Sequence, residues 1–258
     1  MDEPISRPKQ LRGRLVVAVR RSLTEPLSRQ LSVSALRRYH RFRRRLAPHR
    51  YTDADPCGLL WVDPSQISHS LLESAPTYPQ WGRVVDGTWD TEDEPFDERS
   101  VVRAIKQHFG AGREWDETPL VDAYCEQLER FGNAWEYTSV AEFTRRCNEI
   151  EQLYESLCEH GYQPVVDREP QLGTTVGGLI DEINVDIGRD GEIYWRAYGQ
   201  HRLAIAQLLG IERVPVVVNR RHRQWQTIRN RLREVGPGGE IPPEHRNHPD
   251  LQDLMGQD

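Results

Sequence analysis

The sequence predicts an α/β fold of the α+β kind, a small mixed sheet flanked by helices, and three features predict it. Ile183, Val185 and Ile187 alternate with Asn184 and Asp186, Gly188-Arg189-Asp190-Gly191 supplies a turn, and Ile193, Trp195 and Ala197 alternate with Tyr194, Arg196 and Tyr198. Two-residue periodicity on both sides of a glycine-bounded turn is the signature of a β-hairpin. Next comes Leu203-Ala204-Ile205-Ala206 with Leu208 and Leu209, an apolar helix buried on most sides and closed by Gly210, which feeds the strand Val214-Pro215-Val216-Val217-Val218. Before both lies a long helix from about Val140 to His160, capped by Ser139 or Thr138, with Phe143, Cys147, Ile150, Leu153, Tyr154 and Leu157 on one face and Gly161 as its stop. The chain then runs through Gln163-Pro164 into the β-branched pair Val165-Val166, which reads as a helix-to-strand connection, with residues 167–178 as loop.

With 258 residues the chain is long enough to bury its own core. Its four cysteines, Cys57, Cys125, Cys147 and Cys158, form no CxxC pair and have no histidine at ligand spacing, which argues against a structural zinc site or a disulfide framework. The expected compartment is a reducing cytoplasm. No run approaches the ~20 apolar residues of a membrane span and the N-terminus lacks a signal-peptide pattern, so the expectation is a cytoplasmic protein, at most peripheral to a membrane.

Charge is unevenly spread. Residues 1–50 hold 13 arginines and Lys9 against Asp2, Glu3 and Glu25, a net of +11; because the whole chain carries −6, the rest sums to −17. Such asymmetry points to a basic arm that meets an anionic surface, nucleic acid or lipid headgroups, or that pairs with the acidic body. Leu11, Leu15, Val16, Val17 and Val19, then Leu27, Leu31, Val33 and Leu36 followed by Arg37, Arg38, Arg41, Arg43, Arg44 and Arg45, predict two amphipathic helices separated near Pro26.

After Pro56, Leu59-Leu60-Trp61-Val62 predicts a buried strand ending in the turn Asp63-Pro64. Residues from about 80 to 138 read as an insertion, in which Trp81, Trp89, Trp115 and Trp135 accompany Asp86, Asp90, Glu92, Asp93, Glu94, Asp97 and Glu98. This mixture either lines a ligand cleft or anchors a small packed unit. Within it Val101, Val102, Ile105 and Phe109 follow helical spacing, with Gly110 and Gly112 as stops. At the C-terminus Arg220, Arg221, His222, Arg223, Trp225, Arg229, Arg231 and Arg233 predict a basic helix. That helix offers either a second phosphate or nucleic-acid surface, with Trp225 stacking on a base, or a partner for the acidic insertion.

The candidate chemistry lies where the hairpin meets the apolar helix. His201 and Arg202 occupy the first turn, where open backbone N–H groups and the macrodipole already make the potential positive. Two cationic donors there, behind a glycine that lets backbone approach closely, would hold an anion such as a di- or triphosphate. The alternative is that Arg202 pairs with Asp186 or Glu182 and His201 caps its own turn.

The stretch Gly199-Gln200-His201-Arg202-Leu203-Ala204-Ile205-Ala206, with Leu209-Gly210 and Val214–Val218, resembles the ParB/sulfiredoxin superfamily, where a Gly-x-[His/Arg]-Arg turn at a helix start grips nucleotide phosphates. Glu155-Ser156-Leu157 followed by Gly161-Tyr162-Gln163-Pro164-Val165-Val166 is similar to the ParB-type box in which a helix ends in Gly-x-Gln-Pro. Leu60-Trp61-Val62-Asp63-Pro64-Ser65 resembles that fold's first strand, and the pieces together span roughly residues 59–67 and 150–218. The departures matter. Gln200 stands where sulfiredoxin has its nucleophilic cysteine, which excludes that redox repair. Partition-type ParB proteins have Glu-Arg-Arg after the glycine and a following helix-turn-helix domain; here Gln200, His201 and Arg202 follow it, and only about 40 residues remain after the last strand. The superfamily's free-serine kinases carry Asp-Gly-His-His-Arg, against Tyr198-Gly199-Gln200-His201-Arg202.

Charge distribution and the resemblance together divide the chain into a basic arm (1–50), a ParB/sulfiredoxin-like domain (51–222) with the insertion, and a basic C-terminal extension (223–258). The resemblance implies a nucleotide-binding protein that transfers or hydrolyses a phosphoryl group, taking ATP, ADP or CTP with magnesium. Gly199, Gln200, His201 and Arg202 would hold phosphates, while Gly161, Gln163 and Pro164 border the nucleotide. His201 and a carboxylate, Asp186 or Glu182 on the adjacent strand or Asp86 or Asp90 in the insertion, would serve catalysis. The other expectation is a nucleic-acid-binding protein, DNA-binding or nuclease, that uses the basic arm, which could equally meet an anionic membrane.

Overall fold

A computed structural model of the chain describes residues 31–72, 81–134, 137–168, 170–236 and 242–255. Its strands are β1 (Leu59–Val62), β2 (His69–Leu71), β3 (Arg83–Val85), β4 (Asp93–Pro95), β5 (Ile183–Ile187), β6 (Ile193–Ala197) and β7 (Val214–His222). They form one open, mixed sheet in the order β1-β7-β5-β6-β2-β4, with β3 also on β7. The nine residues of β7 accommodate two neighbours on one edge, β1 antiparallel along Val214–Val217 and β3 parallel along Arg220–His222. On its other edge β5 runs parallel to β7 and antiparallel to β6, the predicted hairpin partner.

The main helices are α1 (Val33–Leu46), α2 (Ser100–Ile105), α3 (Pro119–Phe131), α4 (Val140–His160), α5 (Val176–Ile180), α6 (Gln200–Leu208) and α7 (Arg223–Val235). Strand alternation sends Ile183, Val185, Ile187, Val214, Val216 and Val218 to one face. There they pack with Leu203–Ala206 of α6 and with apolar residues of α2, α3 and α4. Val217 points the other way and joins a second cluster with Val33 and Leu36 of α1, Leu179 and Ile180 of α5, and Trp81. The mixed sheet is therefore sandwiched between helices.

Residues 81–134 contribute β3 and β4 to this sheet and α2 and α3 to this core. The described tryptophans there are packing anchors. Trp81 is buried, Trp115 stacks on His108 with centroids 4.0 Å apart, and the Arg220 guanidinium lies 4.0 Å from the Trp89 ring centroid. Trp135, like the apolar patch Leu11–Val19 of the arm, lies outside the described residues. The second arm helix forms as expected: Ser32 caps it, and Arg37 pairs with Asp55 at 2.6 Å.

α4 has the expected limits, and the Ser139 side chain accepts the Glu142 N–H. The expected strand at Val165-Val166 is instead a helical turn, Val165–Arg168. Pro164 starts it, because its carbonyl accepts the N–H groups of Asp167 and Arg168, and the Glu182 carboxylate accepts the Val165 N–H. The expected loop also winds into a helical turn, Pro170–Gly173, and α5.

The basic C-terminal segment differs most from expectation. Arg220, Arg221 and His222 continue β7 and are buried rather than opening a surface helix. Trp225 is fully buried and donates to Asp250 at 2.9 Å, so it cannot stack on a base. Arg229, also fully buried, pairs with Asp53, Asp250 and Asp253, so the helix's inner charges are neutralised by carboxylates outside the 80–138 segment. The exposed Arg223–Asp86 ion pair, at 2.7 Å, reaches that segment as expected. No helix among the described residues is long and apolar enough to cross a membrane.

Candidate functional site

β6 leaves the sheet through two consecutive left-handed residues, Tyr198 (φ +53°) and Gly199 (φ +63°), and α6 begins at once. Positive φ is uncommon for a residue with a side chain, and here it falls on an exposed tyrosine beside the candidate site. Gly199 is required by close approach as well as by φ, since a Cβ there would lie 2.7 Å from the Ile183 Cα. No side chain caps α6, so its first-turn N–H groups are not taken by a capping residue.

From this turn Arg202 reaches back to the residue before β5, where its Nη1 lies 3.5 Å from Oε2 of Glu182, a side chain with no exposed surface. Tyr162 donates its hydroxyl to the same oxygen at 3.2 Å, and the Val165 N–H donates to the other oxygen. Burial raises the Glu182 pKa above the usual carboxylate range against the opposing pull of the Val165 N–H and Arg202. Gly161, Tyr162, Gln163, Arg168 and Arg202, with Ser156 of α4, line a narrow crevice whose free space is about 10 Å³, room for about one water molecule. Thus Gly161, Gln163 and Arg202, expected together, do come together. Pro164 is buried beneath them and holds the turn that carries Arg168. Tyr162 and Arg168 are additions that no local pattern in the sequence marked.

Gln200 and His201 do not line the crevice. His201 turns towards α4, where Arg146 donates to its Nδ1 at 3.3 Å. Burial, then the charges of Arg146 and Arg202, push the His201 pKa down to about 3. The second cationic donor expected here is therefore a neutral imidazole, and as a neutral hydrogen-bond acceptor it supplies no charge for a phosphate. A pH prediction follows from the sign of this shift. Because the folded pKa lies below the unfolded value of about 6.5, the stability it contributes is present above pH ~6.5 and is lost as pH falls towards 3. Buried His40 and His248 shift in the same direction, so urea titrations of His201→Gln between pH 7 and about 4 should show a shallower, not a flat, loss of stability. An unchanged slope would contradict a neutral His201.

Asp186, the other expected catalytic carboxylate, has no exposed side-chain surface and pairs with Arg220 Nε at 2.7 Å and Arg196 Nε at 3.3 Å. It is a counter-ion inside the sheet, away from the crevice lining. Arg202 meets Glu182 and not Asp186 because Glu182 precedes β5, beside the 161–165 turn, whereas Asp186 lies within the strand between Arg196 and Arg220. Asp90 is held by the Arg189 guanidinium and N–H, and Asp86 by Arg223, both at the far end of the hairpin. A wider open cleft of about 640 Å³ borders the opposite end of α6, lined by Asp63, His69, Lys106, Gln207 and Glu212 among others. Among the described residues no group of three or more His, Cys, Asp or Glu side chains is placed to hold a metal ion.

These features define an α/β protein with an arginine-lined crevice between the end of α4, the 161–168 turn and the start of α6. No family model, curated protein or solved structure matches the chain.

Proposed function

We propose that this chain is a nucleotide-binding protein of the ParB/sulfiredoxin type that transfers or hydrolyses a phosphoryl group, with phosphates seated between Arg202 and Arg168. The observation that carries the reading is that Gly161, Gln163 and Arg202, drawn from two separate segments, line one crevice. Guanidinium groups suit this task because their planar donors match phosphate oxygens in pairs. The free space of about 10 Å³ holds no more than about one water molecule, so a phosphate enters only as the Arg202 and Arg168 side chains open outward, and ribose and base stay at the mouth.

Glu182 is the carboxyl group at this site. When a phosphate draws Arg202 away, Glu182 loses its nearest positive charge, and its pKa, already raised by burial, rises further towards the range where a carboxylate accepts a proton from an attacking hydroxyl or water. Its oxygens are engaged by Val165, Tyr162 and Arg202, a donor set that does not fit a magnesium ion held by the protein; a divalent ion would arrive on the nucleotide phosphates. Isothermal titration with ATP, ADP and CTP in the presence of magnesium, with adenosine as the phosphate-free control, tests the reading. Binding of at least one nucleotide and none of adenosine is expected. Failure of all three nucleotides to bind would end the proposal.

A further inference from the structure

We infer that the outer face of α1 is a docking surface for an anionic lipid bilayer. α1 buries Val33, Leu36 and His40 against the body. Roughly a third of a turn round the helix, at the i, i+3, i+7 spacing of a single stripe, stand Tyr39, Phe42 and Leu46, which are 41%, 58% and 67% exposed. Arg38, Arg41 and Arg45 each precede one of these residues in the chain and so form a parallel row beside the stripe; Arg43 borders its other side, 5.8 Å from the Tyr39 ring centroid. Arg38, Arg41 and Arg45 make no ion pair among the described residues, unlike Arg37, which is bound to Asp55. The helix of 14 residues thus has three faces: one docked, one exposed and apolar, one exposed and cationic.

This division decides the partner. A polyanion such as nucleic acid satisfies the arginines but offers Leu46 nothing to bury against. A bilayer surface takes both, with the apolar stripe entering the boundary between headgroups and acyl chains while the arginines meet anionic headgroups. At 1.5 Å per residue α1 is about 21 Å long and would lie in the plane of the interface, since it is too short and too charged to cross.

The test is co-sedimentation of the full chain at low salt with vesicles of phosphatidylcholine alone and of phosphatidylcholine containing about one third phosphatidylserine. Binding to the anionic vesicles only is expected. The double substitution Phe42→Ser and Leu46→Ser, which leaves every charge in place, should weaken it at least tenfold, and Arg38→Gln with Arg41→Gln and Arg45→Gln should weaken it about fivefold per charge. Unchanged thermal melting of both variants shows that the fold is intact, as expected for exposed positions. Binding to neither vesicle, equal binding to both, or anionic binding insensitive to Phe42→Ser and Leu46→Ser would overturn the inference. Retention of a single-stranded RNA probe by the full chain without any vesicle binding would overturn it in favour of nucleic acid.

Discussion

Asp250→Ala should lower the unfolding free energy by about 3–5 kcal/mol, the effect of removing one partner from a buried ion-pair network. Asp250 is 3% exposed; it accepts from Arg221 and from the Trp225 indole at 2.9 Å, and lies 3.5 Å from Arg229. Its loss leaves Arg221 buried without its carboxylate and the indole N–H without an acceptor, while Arg229 keeps Asp53 and Asp253. The nearby cations hold the pKa values of Asp250 and Asp53 below the ordinary carboxylate range, so the stability they contribute is present above pH ~4 and lost as pH falls further. Urea unfolding at pH 7 measures the effect. Arg223→Ala, which removes a pair half exposed on both sides, should change stability by no more than about 0.5 kcal/mol. Equal effects for the two variants would contradict the burial of this network.

Gly199→Ala should cost about 2–4 kcal/mol. About 1 kcal/mol comes from a left-handed backbone at a residue that gains a Cβ. A further 1–3 kcal/mol comes from overpacking, because the new carbon meets the Ile183 backbone at 2.7 Å, where no side-chain rotation relieves it. Gly210, at φ +65° with nothing within 4 Å of its Cβ position, provides the comparison, and Gly210→Ala should cost only about 1 kcal/mol. Thermal melts of the two variants read the difference. A Gly199→Ala protein as stable as Gly210→Ala would mean that β5 does not approach this turn so closely.

The parts of the fold that were legible in the sequence are those whose pattern is local. The β5–β6 hairpin shows alternation and a glycine-bounded turn, and α4 shows a capping serine, one apolar face and a terminal glycine, so both were readable to within a residue or two. Strands β2 and β4, three residues each, are too short to show any period. Arg220, Arg221 and His222 carry the pattern of a basic helix, because buried charge in a strand is intelligible only with its partners. Those partners, Asp186, Asp250 and the Gly87 carbonyl, are remote in sequence. Val165-Val166 misled through β-branching, which was outweighed by Pro164 and by a carboxylate supplied from residue 182.

The candidate site divides in the same way. Gly199 and Arg202 stand out as a turn and a helix start, and Gly161 and Gln163 as a helix end, so their places in the fold are visible locally. The choice between Glu182 and Asp186 depends on burial and on which arginine each one meets, and the neutrality of His201 depends on Arg146 of another helix. Arg168 is hidden because the helical turn that brings it to the crevice has the local pattern of a strand and a loop.

The most direct measurement is the dissociation constant of the tightest-binding nucleotide among ATP, ADP and CTP for the unmodified chain, Arg202→Ala and Arg213→Ala. Arg213 is an exposed arginine outside the crevice, and it controls for the general loss of positive charge. If Arg202 grips the phosphates, Arg202→Ala should weaken binding about 10- to 100-fold, the equivalent of a charge-assisted bond worth about 1.5–3 kcal/mol, and Arg213→Ala should change it less than about twofold. Equal affinity of Arg202→Ala and the unmodified chain would contradict the assignment of the phosphates to this crevice.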